Sequence, residues 1–101
     1  MRFLPLFLLA CTPAAEVDPA LELPGDVVAG EPLWLGECGL CHGLDGEGTS
    51  RGGPLIGIFE RQTEAEVLLT VRMGVSSMPP YDDFYSDQEL ADLLAWMRAS
   101  L

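Results

Sequence analysis

The chain has 101 residues and a formal net charge of -11, with 16 acidic residues against five arginines and no lysine. That length holds one small domain, whose apolar core is marginal unless a disulfide, a metal or a buried cofactor adds to it. With no cluster of basic side chains to neutralise phosphates, nucleic acid is excluded as a partner. A charge-steered partner has to present a basic face, although the acidity also serves plain solubility and a mostly apolar contact is a second route.

The opening residues, MRFLPLFLLAC, read as a targeting segment. Arg2 supplies a positive start, and Phe3 to Ala10 form an apolar run too short to span a bilayer as a helix, which takes about 20 residues. The run ends in Leu8-Leu9-Ala10-Cys11, which resembles the lipobox of bacterial lipoproteins. The resemblance implies a signal peptide over residues 1–10, cleaved before Cys11, and acylation of Cys11 as a membrane anchor. An ordinary secretory signal with a chance cysteine is the alternative, and both imply export. The expected location is the periplasm, on a lipid anchor.

Residues 11–26 contain three prolines, scattered acids and no sustained period, so they are expected to form a flexible tether. The folded domain is expected over residues 27–101, in three helices. The first runs from about Ala29 to Cys41, with Pro32 tolerated in its opening turn. The second has Thr63 as N-cap and Glu66 at the capping-box position; Val67, Leu68 and Val71 face inward, and Gly74 ends it. The third repeats this grammar with Ser86 and Glu89, followed by an apolar stripe of Leu90, Leu93, Leu94, Met97 and Leu101. A glycine-rich loop over residues 42–57 separates the first two helices, and no strand pattern appears. The predicted class is all-α.

Within the first helix, Cys38-Gly39-Leu40-Cys41-His42 places two sulfurs three residues apart, on one helix face. A thiol redox couple would sit in a βαβ setting, which is absent. A structural zinc site needs four ligands, and His42 is the only histidine in the chain. Covalent attachment of c-type haem uses all three residues: the thiols bond the porphyrin and the histidine projects toward its iron.

From Ala29 to Leu101 the chain resembles a small monohaem class I cytochrome c of bacteria. The likeness rests on AGEPLW, CGLCHGLDGEG, GGPLIG, MPPY and SDQELADLLAWMRAS, in the family's order. The resemblance implies three main helices and the glycine-rich loop packed around one covalently bound haem, with Gly30 and Trp34 near the terminal helix and Trp96 within it. It implies that Cys38 and Cys41 carry haem c through two thioethers, and that His42 is one axial ligand of the iron. For the other axial position the candidates are Met73, Met78 and Met97. Met97 on the apolar stripe and Met73 in the last turn of the second helix are expected in the core. Met78 lies in SSMPPYDD, where two prolines stiffen a loop, and the resemblance selects it. By the same resemblance the carbonyl of Pro54 accepts the second N–H of His42. Tyr81 is a candidate for the haem edge or a propionate, and otherwise covers core. Arg51 and Arg61 are candidates for propionate pairing or solvated charges.

The function implied is single-electron transfer by a membrane-tethered, monomeric carrier between redox partner proteins, a membrane oxidase or reductase among them. With the only histidine committed to iron, no acid–base constellation marks an enzyme. The alternative is a haem enzyme or a gas or peroxide sensor with a labile sixth ligand.

Overall fold

The computed structural model describes residues 17–101, so the expected signal peptide and Cys11 lie outside the described residues. Four helical segments carry the fold: α1 (Val27–Leu33), α2 (Gly39–His42), α3 (Glu64–Met73) and α4 (Asp87–Ser100). The described residues form no strand, only two isolated bridges, Thr49 with Gly52 and Val75 with Met78. The all-α expectation is met. Among the described residues no helix is long and apolar enough to cross a membrane.

Both expected capping boxes form. The Glu66 N–H donates to Thr63 Oγ1 at 3.1 Å while Glu66 Oε1 accepts from the Thr63 N–H at 2.8 Å. Ser86 and Glu89 make the same reciprocal pair at 3.0 and 2.9 Å. Each box satisfies two N–H groups that the helix would otherwise leave unpaired. Gly74 ends α3 at φ 76°, a left-handed conformation that suits glycine.

The first helix is longer and less regular than the pattern from Ala29 to Cys41. Asp26 caps it, accepting from the Val28 N–H at 2.9 Å, so it starts two residues earlier, at Val27. Between α1 and α2 the chain takes one wider turn of π-helix over Trp34–Cys38. α1 crosses α4 at Gly30, where a Cβ would stand 2.0 Å from the Asp92 carbonyl oxygen. Only a glycine allows that approach, and it brings Trp34, fully buried, onto Trp96.

The expected tether is corrected from Asp18 onward. Residues Pro19–Glu22 form a short 3₁₀ turn packed on α4, and Ala20 is 1% exposed. Asp18 pairs with Arg72 at 2.7 Å, and Gly25 lies against the Ala91 carbonyl and the small side chain of Ala95, whose Cβ is 2.8 Å from where a Gly25 Cβ would stand. The physical reason is on α4. Alanines beside the leucine stripe leave a shallow groove that the proline-rich segment fills, so Leu90 through Met97 are all buried.

Candidate functional site

The glycine-rich loop folds back on α2 through its backbone. The Gly48 N–H donates to the His42 carbonyl at 2.7 Å, the Leu55 N–H to the Gly46 carbonyl at 2.8 Å, and Thr49 Oγ1 donates to the Cys41 carbonyl. Gly52 passes so close that a Cβ would stand 2.8 Å from the Cys41 oxygen and 3.0 Å from His42 Nδ1. The result fixes the imidazole: Nδ1 lies 2.8 Å from the Gly53 carbonyl oxygen, to which it donates when protonated, leaving Nε2 as the free nitrogen.

Pro54 was expected to supply that carbonyl, and this is corrected. Its ring and backbone press on Gly48 instead, within 2.9–3.2 Å of where a Cβ there would stand, and the carbonyl turned to the imidazole belongs to the preceding residue.

Two cavities of about 210 and 280 Å³ meet along Cys38, His42, Val75 and Met78. The smaller is walled by Trp34, Leu55, Ile58, Val67, Val71 and Met97 and is apolar. The larger carries Cys41, Glu37, Arg51 and Tyr81 and opens toward polar groups. Together they make one mostly apolar slot, with its charged and polar groups gathered on the Cys41 side, at its mouth. Met78 lines both halves, Met97 lines the inner one as a buried core residue, and Met73 lies outside. Met73 was expected in the core, but it is 66% exposed because the last turn of α3 presents it to solvent.

At the mouth, Tyr81 donates its hydroxyl to Glu37 Oε1 at 3.1 Å. Burial, reinforced by the Glu37 carboxylate, pushes the Tyr81 phenol up to about 12, so it stays a neutral donor. Arg51 reaches the Leu40 carbonyl at 2.7 Å and lines the slot, whereas Arg61 bonds the Ile56 carbonyl at 3.3 Å and does not. Glu37 was not singled out from the sequence; its place directly before Cys38 on the helix was the available signal.

The donor set decides between chemistries. Cys38 and Cys41 are free thiols, not a disulfide. Burial, then the Glu37 charge, pushes the Cys38 thiol up to about 12, the opposite of what a thiolate redox couple needs. Among the described residues no three His, Cys, Asp or Glu side chains converge as the ligand set that zinc takes. An apolar slot bordered by two thiols, an oriented imidazole and a thioether does fit a haem.

A strand-free helical fold around such a slot defines a domain of the cytochrome c class. The comparisons with known proteins agree. The model of one family, described as cytochrome c oxidase, cbb3-type, subunit III, matches residues 25–97. A relative from Synechocystis sp., a cytochrome c-553-like protein, is 31% identical over 83 residues, covering 81% of this chain and 76% of that protein. The chain belongs to this family of small monohaem cytochromes c, proteins that use haem c and its iron for electron transfer.

Proposed function

We propose that this chain carries single electrons on one covalently bound haem c, with His42 and Met78 as the axial ligands. The observation that carries the reading is that Cys38, Cys41, His42 and Met78, separated by up to forty residues in sequence, border one slot with an apolar interior. When bound, the haem supplies one-electron exchange between ferric and ferrous iron.

The protein's own part is to hold and shield. The two thiols tether the ring. The Gly53 carbonyl fixes the tautomer and the orientation of His42, leaving Nε2 toward the slot. The inner side chains exclude water from one face, and Tyr81 with Glu37 closes part of the mouth. With both axial positions taken by side chains, no open site is left for substrate, which supports a carrier and not an enzyme.

The location is part of the same proposal: export through residues 1–10 and a lipid on Cys11 would place the domain on the periplasmic face of a membrane. The matched family's description names an oxidase subunit, which supports a membrane oxidase as one redox partner, met as a monomer.

The test is Met78→Ala in the haem-loaded protein. Loss of the far-red sulfur-to-iron band of the ferric form is expected, together with a lower potential. Survival of that band would overturn the ligand assignment.

A further inference from the structure

Three carboxylates from three separate segments converge on Arg72, the penultimate residue of α3. Asp18 of the N-terminal arm accepts two bonds, from Nε at 2.8 Å and Nη2 at 2.7 Å. Asp82 accepts from Nη1 at 2.9 Å, and Asp87, in the first turn of α4, from Nη2 at 2.8 Å. The Arg72 and Asp18 side chains are each only 15% exposed, so their pair is screened less than a surface ion pair, whereas Asp82 and Asp87 stand about half exposed.

Asp82 stands four residues after Met78, and backbone bonds fasten the segment between them at both ends, with the Tyr81 side chain held by Glu37 and Tyr85. Val75 and Met78 exchange backbone bonds at 2.8 and 3.1 Å, and Gly74 lets the chain turn there. At the far end the Tyr81 N–H donates to the Val71 carbonyl at 2.9 Å and the Asp82 N–H to the Arg72 carbonyl at 3.1 Å. Ser76, inside the turn, sits at φ 53°, a left-handed conformation that residues with a Cβ rarely adopt. A strained turn persists only where its surroundings hold it. Arg72 grips the end of this loop twice, by its carbonyl and by its side chain.

We propose that Arg72 is a positioning residue for the Met78 sulfur, and that the docked arm acts on the same loop through it. The inference rests on Met78 being the sixth ligand. Without the guanidinium, Asp18, Asp82 and Asp87 would be three like charges at close quarters. Their repulsion would push the arm and the methionine loop outward and favour a Met78 that lets go of the iron. Asp18 belongs to the clamp because it holds the guanidinium by two bonds and keeps it aimed at Asp82.

The test is competition at the ferric iron by imidazole, in the haem-loaded full chain, followed by loss of the sulfur-to-iron band. Arg72→Gln should raise imidazole affinity about tenfold or more, and Asp82→Asn and Asp18→Asn by smaller factors. Arg72→Lys, which keeps the charge but not the fork, should recover part of the loss. The same exchange at position 72 in a Met78→Ala background should change imidazole affinity by less than about twofold, because no sulfur is left to displace. An unchanged affinity in Arg72→Gln, or an equal rise with and without Met78, overturns the proposal. If Met78→Ala keeps the band, the ligand reading fails and this proposal with it; if the band is lost while Arg72 is inert, this proposal alone fails. Should Arg72→Gln not mature, the two asparagine variants decide: weakened Met78 binding in them supports the clamp, and none overturns it.

Discussion

The indole of Trp34 stacks on that of Trp96, with ring centroids 4.9 Å apart and planes 26° apart, directly behind the slot. Trp34 also donates its Nε1–H to the Leu44 carbonyl at 2.9 Å, so one side chain joins the π-helical turn, α4 and the loop after His42. Trp34→Ala should lower stability by about 3–5 kcal/mol, and Trp34→Phe by less, since it keeps the stack and loses the hydrogen bond. The urea midpoint of the haem-loaded protein measures both. Equal midpoints for wild type and Trp34→Ala would refute a structural role for the stack.

At Gly30 two effects oppose each other. Alanine in a helix interior is favoured over glycine by about 1 kcal/mol. A Cβ here would stand 2.0 Å from the Asp92 oxygen and 2.9 Å from Trp96 Cβ, so α1 must move off α4. Overpacking of this kind costs about 1–3 kcal/mol or more and wins. Gly30→Ala is expected to unfold at lower urea than wild type; a rise in midpoint would mean that the crossing yields easily.

Removal of haem tests how much of the fold depends on it. The slot lies between α2, α3 and α4, and direct contact between α3 and α4 is slight. Ile58, Val67 and Val71 are buried side chains that border the slot, so without haem the space between these elements is left unfilled. Chain made without haem attachment should lose most of its far-UV helical signal. Retention of native helicity would show that the protein side chains suffice.

The Asp18–Arg72 pair gives the arm a pH dependence. The hydrogen bond from Arg72 holds the Asp18 carboxyl below its ordinary value. A carboxylate with a lowered folded-state pKa stabilises the fold above its unfolded value of about 3.9, and that gain is lost as pH falls through the lower folded value. The stability difference between wild type and Asp18→Asn should be full at neutral pH and shrink below about pH 4. Hydrogen exchange at the Ala20 and Leu21 amides reads it out, and a difference that stays constant down to pH 3 would break the linkage.

Local signals carried most of the fold. Both capping boxes, the glycine after α3 and the leucine stripe of α4 are set by residues three or four apart, and each formed as the sequence predicts. The Cys38–Cys41–His42 spacing and the methionine loop likewise pointed to the residues that border the slot. What escaped depends on partners far away in the chain. Nothing near Gly25 announces that it will pack on Ala91 and Ala95, and nothing beside Met73 announces that its turn faces water. The carbonyl beside His42 differs by one residue from the expectation, because register in a glycine-rich loop is set by Pro54 seated on Gly48. Glu37 and Arg72 read as ordinary helix charges until folding brings Tyr81 to one and three aspartates to the other.

The docking of the arm also sets a length. If Cys11 carries a lipid, six residues, Thr12 to Val17, separate the anchor from Asp18, which Arg72 holds, and set the longest possible leash. At about 3.5 Å per residue, such a leash reaches about 21 Å at full stretch, no more than the width of a small domain. A carrier so held could pivot and roll above its anchor but could not travel outward. Its partners would have to come to the membrane surface, and the leash would leave from the flank on which the methionine loop is clamped.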